Sequence, residues 1–252
     1  PNRLGDPSLG WETTLGFNGG IDFSFLSGRI SGSVDYFKTN TSDLLLDKLI
    51  SPVNGVKSIR QNIGKTSNQG IDFTVSSVNI RKTNFSWSTD LNISRPINRI
   101  DNAGLTDANG SYISDIGNRW FIGEPIDVNY GYVFDGIWQE NDVVEGSAQP
   151  QAKPGDVKLR DVSGPNGVPD GSISPEYDRV VLSSQVPSYI AGLTNTFSYK
   201  NFAFSFFIRS VQGVRKSNSL LNTYFDGRNG ALNRQFWTPD NPINTYPANR
   251  DD

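Results

Sequence analysis

The side chains best suited to chemistry cluster in the middle of the chain. Trp120, Phe121, Tyr130, Tyr132, Phe134 and Trp138 follow one another closely. Flat aromatic faces stack on sugar rings, and neighbouring Asp and Asn side chains can bond sugar hydroxyls. Trp120, Tyr130, Tyr132 and Trp138 are therefore the candidate ligand or partner contacts. The same rings could instead form a small core that lets a long excursion fold. Downstream, Asp161–Arg179 (DVSGPNGVPDGSISPEYDR) spaces Asp and Ser oxygens among glycines, as in a turn-rich loop capped by its own carboxylates. Catalysis has little to work with. The chain holds no His and no Cys, which removes His-based triads, thiolate chemistry, disulfides and the commonest zinc ligands. The 26 Asp and Glu leave carboxylate-pair chemistry open, but no spacing supports a glycosidase pair. The expectation is a protein that is not an enzyme. A net charge of −3 without a basic cluster points away from nucleic acid.

The elements that must carry these residues are strands. In Pro187–Arg209, Tyr189, Ala191, Leu193, Phe197 and Tyr199 share one parity, and Phe202, Phe204, Phe206 and Ile208 share another. A turn at Lys200-Asn201 pairs Tyr199 with Phe202, Phe197 with Phe204 and Leu193 with Ile208, so both apolar sets fall on one face. Thr194, Thr196, Ser198, Ala203 and Ser205 fall on the other. Upstream, Leu15–Phe25 and Ile30–Asn40 form a second hairpin that pairs Phe25 with Ile30, Ile21 with Val34 and Gly19 with Tyr36. Tyr36 is expected over its cross-strand glycine. In a third hairpin, Ile71, Phe73 and Val75 precede a parity slip. A bulge at Ser76-Ser77 would let Val78 and Ile80 continue the apolar set, facing Phe85, Trp87, Leu91 and Ile93. The carboxylates Asp22, Asp35, Asp72 and Asp90 fall on the polar face with Arg209, as solvated wall charges.

Three hairpins, spanning about residues 11–40, 69–98 and 187–212, are joined by short turns at one end. Long connections of about 28, 90 and 40 or more residues, at about 41–68, 99–186 and 213–252, occupy the other. Membrane-crossing strands need roughly 9–11 residues, and this asymmetry of loop length is the pattern of outer-membrane barrels. The fold class expected is all-β: an antiparallel transmembrane β-barrel piece of about six long strands with long extracellular loops. The alternative is a soluble β-sandwich that binds glycans, although sandwiches have short connections at both ends. Six strands cannot close a barrel. Met is absent even at position 1, so the chain reads as an excerpt of a longer one.

Several stretches carry a family pattern in order. Asp6–Thr14 (DPSLGWETT) resembles N-P-x-L-x-W-E-T-T, and Ile30–Leu46 (ISGSVDYFKTNTSDLLL) resembles a strand ending in Y-x-K-x-T-x-D-L-L. Asn62–Phe73 (NIGKTSNQGIDF), Phe85–Ile93 (FSWSTDLNI) and Ile122–Gln139 match further motifs, as do Pro154–Val181 and Tyr189–Ile208. Together they resemble the C-terminal barrel region of SusC/RagA-type TonB-dependent outer-membrane transporters of Bacteroidetes. The resemblance implies an N-terminal plug inside a barrel of about 22 strands, driven by TonB and capped by a SusD-like surface lipoprotein. Plug, N-terminal barrel strands and final strands would lie outside this chain. It implies import of oligosaccharides or, in some members, peptides, with siderophore uptake as an alternative cargo class, and lipid around the barrel. It also implies that Asp161–Arg179 corresponds to an EF-hand-like loop of the D-x-N-G-D-G type. There Asp161, Ser163, Asp170 and Asp178 could supply oxygens to Ca²⁺, with Gly171 at the turn. This chain departs from that pattern by an insertion, Pro165–Pro169. No other cofactor is expected.

Overall fold

The computed structural model describes residues 3–4, 6–49, 53, 55–56, 58–216 and 235–249. These residues form strands, turns and irregular segments, with no α-helix among them. In chain order the strands are β1 (Arg3–Leu4), β2 (Thr13–Phe25), β3 (Ile30–Leu49), β4 (Ser58–Lys82), β5 (Phe85–Ala103), β6 (Leu105–Thr106), β7 (Tyr112–Ile113), β8 (Val128–Tyr132), β9 (Phe134–Ile137), β10 (Val157–Leu159), β11 (Arg179–Ser184), β12 (Tyr189–Tyr199) and β13 (Phe202–Gln212). One open sheet runs β13-β12-β5-β4-β3-β2, antiparallel throughout, with β1 added in parallel to β4. The chain divides into two units, Pro1–Val128 with Ser184–Val214, and Asn129–Ser183 with Arg215–Asp252. The first contains this sheet.

Register in the sheet follows from its turns. Tyr199 pairs with Phe202, Phe197 with Phe204 and Leu193 with Ile208, while Phe25 pairs with Ile30 and Ile21 with Val34. Across the sheet, Phe23, Gly32, Val75, Leu91, Leu193 and Ile208 form one row. Side-chain period two then puts one apolar and one polar face on the sheet. The apolar face is open: Phe17, Ile21 and Phe204 are each more than 60% exposed.

Three local expectations change. The bulge lies beyond Ser76-Ser77, which stay in register with Ser31 and Ile30. Val78 pairs with Ser88 and Ile80 with Trp87, so Asn79 is the extra residue. Only Ile80 therefore returns to the apolar face. The carbonyls that the bulge turns aside are taken by Arg29, whose Nη2 donates to Val78 O at 3.1 Å and to Asn79 O at 2.9 Å. Tyr36 does pair with Gly19, but the ring against Gly19 is that of Phe17, and the Tyr36 hydroxyl reaches Gln69 on β4 at 3.4 Å. The aromatic rings that need a glycine partner are Phe23 over Gly32 and Phe37 over Gly70, where an added Cβ would lie 2.7 and 2.6 Å from ring carbons. Finally, much of 41–68 and the start of 99–186 are strand, not loop, because β3 runs to Leu49, β4 starts at Ser58 and β5 runs to Ala103. Their apolar content is a short patch, Leu44 and Leu46 on β3 with Ile100 and Ala103 on β5. Polar cross-strand pairs hold them, such as Thr14–Thr41 at 2.9 Å, Arg60–Asp47 at 2.9 Å and Asn98–Asn68 at 2.6 Å. The expected loop 213–252 is described only at 213–216 and 235–249.

Beyond Ser94, β5 has no β12 partner. The following segment folds back onto that free edge: Ile100 N donates to Glu124 O at 2.9 Å and Gly123 N to Ile100 O at 2.8 Å. An unpaired edge is an aggregation site, and covering it with local chain removes the hazard.

A hydrogen-bonded chain also crosses the apolar face. Ser77 Oγ donates to Asn79 Oδ1 (2.9 Å) and Asn79 Nδ2 to Thr89 Oγ1 (2.7 Å). Thr89 Oγ1 and Trp87 Nε1 then both donate to Asn195 Oδ1, at 2.7 and 2.9 Å. Asn195 is 7% exposed; it lies opposite Phe206 and bonds Trp87, two members of a ring cluster with Phe197 and Phe204. Replacing Asn195 by Leu strands two donors at once. It should cost about 1–3 kcal/mol in the whole receptor's denaturant midpoint. Thr196→Val, on the polar face, should stay within about 0.5 kcal/mol.

Candidate functional site

The aromatic candidates do not form one platform. Trp120 belongs to the sheet unit. It lines a small apolar recess with Leu44, Leu46, Ile100 and Ile126, and there it packs the returning segment against β3 and β5. Tyr130, Tyr132 and Trp138 belong to the other unit. Its centre is Ile137, Trp138 and Trp237, each 5% exposed or less.

Local chemistry explains this burial. β9 and β10 pair antiparallel, with Val157 opposite Ile137. Gly155 N donates to Trp138 O at 2.7 Å and Trp138 N to Asp156 O at 2.9 Å, which closes the ribbon between them. Lys158 Nζ lies 4.4 Å from the Trp138 ring centroid, a cation–π contact. Trp237 comes from far along the chain and donates its indole N–H to Gln139 Oε1 at 2.8 Å. Asn244 Oδ1 accepts from Ile137 N, beside Gly136, whose φ of 119° and lack of Cβ admit that side chain. Sequence reading missed Trp237 as a core residue and Asn244 as the exposed side chain that bonds the buried Ile137 N–H. The signal was a Trp and an Asn set in otherwise polar, Pro-rich sequence. Trp138 is thus a core residue and offers no free face for stacking. Tyr130 is half-buried and faces Arg179, whose guanidinium carbon is 5.4 Å from the ring centroid. Tyr132 is half-buried and Phe134 is exposed, next to the Arg160–Asp135 ion pair at 2.8 Å.

The carboxylate loop is organised differently from an EF-hand. Asp178 is fully buried. Its Oδ1 accepts from Val162 N at 2.8 Å and Ser163 N at 3.3 Å, and its Oδ2 from Ser174 N at 2.7 Å. Burial alone would raise its pKa, but these main-chain donors outweigh it and hold the carboxyl below the usual carboxylate range. Asp170 Oδ1 caps its own turn by accepting from Ser172 N at 3.0 Å. Asp161 Oδ2 accepts from Gly171 N at 2.6 Å, and its buried Oδ1 has no protein partner. Ser163 Oγ donates to Gly164 O at 3.4 Å. The insertion makes a turn of its own, Gly167 N donating to Gly164 O at 2.9 Å. Calcium wants six to eight converging oxygens. Among the described residues no three carboxylates converge, and Asp178, the proposed late ligand, closes the loop itself. Asp161, Ser163, Asp170 and Asp178 do not fit a calcium site.

On the polar face of the sheet, Asp35 sits directly opposite Asp72, and Arg209 opposite Gly192. Asp90 accepts from Ser76 Oγ at 2.6 Å. These are wall charges spread along the strands and not gathered into a site.

Comparison with known proteins decides the family. The family described as TonB dependent receptor-like, beta-barrel matches residues 1–149. TonB-dependent receptor P26 of Formosa agariphila is 34% identical over 97% of this chain. The chain belongs to the TonB-dependent receptors. Within them it is of the SusC/RagA type. TonB-dependent receptor SusC of Bacteroides thetaiotaomicron is 30% identical over 81% of the chain. The solved RagAB peptide transporter matches 97% of the chain with a TM-score of 0.69 at 22% identity, a likeness of fold. The chain covers 25% of P26, 20% of SusC and 26% of the RagAB chain, about a quarter or less of each relative. The all-β barrel architecture expected from hairpin spacing is the architecture of this family, whose members are receptors and transporters rather than enzymes.

The loop's dependence on Asp178 has a pH signature. A depressed folded pKa means stability that is present above the ordinary carboxylate value of about 3.9 and lost as pH falls through the lower, folded value. Hydrogen-exchange protection at Val162, Ser163 and Ser174, taken relative to an unstructured peptide at the same pH, should therefore fall as pH drops through that folded value. Asp178→Asn, which puts an amide NH2 where one carboxylate oxygen accepted from the main chain, should speed exchange there by roughly tenfold or more at neutral pH. Calcium or chelator should leave these rates unchanged.

Proposed function

We propose that this chain is wall and loop of an outer-membrane importer that takes up oligosaccharides, energised through TonB and working with a SusD-like surface lipoprotein. The observation that carries this reading is the 34% identity to a TonB-dependent receptor over 97% of the chain. The open apolar face supports a lipid-facing wall, and the Ser, Thr, Asn and Asp of the opposite face suit a water-filled lumen. The outer membrane is the location that follows. The support for a sugar cargo lies on the loop unit. Phe134 is exposed and Tyr132 half-buried, and the residue after Phe134, Asp135, pairs with Arg160; aromatic rings can stack on sugars and charged groups can bond their hydroxyls. A peptide cargo is the second reading, favoured by the fold likeness to the RagAB peptide transporter.

The test uses the whole receptor together with any lipoprotein that co-purifies with it. Binding of mixed oligosaccharides and of mixed peptides is measured by calorimetry before and after Phe134→Ala and Tyr132→Ala. The sugar reading expects oligosaccharide affinity to fall about tenfold in either variant, the cost of one lost aromatic stack at about 1.4 kcal/mol. Peptide binding with no oligosaccharide binding would replace it by the second reading. A receptor that purifies without a lipoprotein would remove that partner from the account.

A further inference from the structure

The short-turn end of the sheet carries charge of one sign. The turn after β2 holds Arg29, β4 ends on Arg81 and Lys82 before the turn Thr83-Asn84, and the turn after β12 holds Lys200, with no Asp or Glu among these residues. All four are exposed, and among the described residues none is in an ion pair with a carboxylate. Arg29 is occupied by the bulge carbonyls. The other three are gathered by one hydrogen bond between turns, Lys200 N donating to Asn84 O at 2.9 Å.

Two of them stand on the apolar side. Lys82 pairs with Phe85, Phe85 with Tyr199 and Tyr199 with Phe202, so Lys82 ends a row of three rings on the apolar face. Lys200 Nζ lies 5.5 Å from the Tyr199 ring centroid. Tyr199 and Phe202 are 54% and 79% exposed. Lys200 also has a φ of 52°, at the first position of a two-residue turn where glycine is the usual choice. A lysine there keeps its charge at the rim against the backbone's preference.

We propose that Lys82 and Lys200, with the rings of Phe85, Tyr199 and Phe202, bind the phosphate headgroup of an anionic phospholipid in the leaflet that the short turns face. The chemistry of this rim matches both ends of such a lipid. The rings and the apolar face above them take acyl chain, while two unpaired ammonium groups roughly two strand spacings apart, on the order of 10 Å, take phosphate. Amphipathic aromatic and cationic side chains gather at a membrane–water boundary for this reason. The absence of any carboxylate selects for net negative charge over a zwitterionic headgroup. The inference rests on the membrane reading proposed above.

The experiment uses the whole receptor in mild detergent, with native mass spectrometry reading retained lipid. Phosphatidylglycerol should be retained over phosphatidylethanolamine of the same chains by about tenfold, and Lys82→Ala with Lys200→Ala should abolish that preference. Lys82→Arg with Lys200→Arg keeps the charge and should keep the preference, which separates loss of the site from failure to fold. Glycerol phosphate, lacking chains, should not compete. Equal retention of the two lipids, or a preference unchanged in the double alanine variant, would overturn the proposal. Full competition by glycerol phosphate would overturn the lipid assignment in favour of a free-anion site. A receptor that does not insert into liposomes would instead refute the membrane reading.

Discussion

Everything in the sheet depends on strand register. Side chains alternate between faces, so a slip of one residue would exchange the apolar and polar surfaces along a whole strand. The register is pinned at the short turns and again at the Asn79 bulge. There, one extra residue on β4 lets Ile80 rejoin the apolar face opposite Trp87. Arg29 makes the bulge tolerable by bonding the two carbonyls that the ladder gives up. The Asn79–Thr89–Asn195–Trp87 chain ties the same point across β4, β5 and β12. A polar chain on an apolar surface is costly unless each member is partnered, and here each link is made.

The loop unit obeys a different constraint. Among the described residues it has only two-stranded ribbons, so its order comes from a few side chains brought together from distant segments. Trp138 and Trp237 supply apolar burial, and Gln139 and Asn244 supply the bonds that fix them. Asp178 does the same for the inserted loop with one carboxylate and three main-chain donors. Residue types that suggest ligand chemistry are here spent on holding irregular chain together. Phe134 remains exposed, as do Val143 and Val168.

The hairpins were legible because period-two alternation and short turns are local properties. The pairs Phe197–Phe204 and Ile21–Val34 follow from counting outward from a turn. The strand extensions were not legible, because Thr41, Asp47 and Asn68 carry no apolar alternation and act through cross-strand partners that a single sequence does not display. Asn195 was passed over for the same reason: it breaks the apolar pattern, and its partners lie on another strand. The carboxylate loop misled in a more specific way. Asp and Gly spacing is shared by metal loops and by loops that cap themselves, and only the direction of the main-chain N–H groups separates the two. For Trp138, residue type allowed both a core and a contact role, and burial chose the core.

The central claim is that the two faces of the sheet meet different solvents. The chain has no native cysteine, so single cysteines can be placed at Phe204 and Thr196, with the rest of the receptor made cysteine-free, and the protein inserted into liposomes. Labelled with an environment-sensitive fluorophore, the cysteine at position 204 should be quenched by lipid-borne nitroxide and shielded from iodide. The cysteine at position 196 should show the reverse. Iodide quenching at 204 with nitroxide quenching at 196 would turn the wall inside out, and iodide quenching at both would contradict a membrane wall altogether.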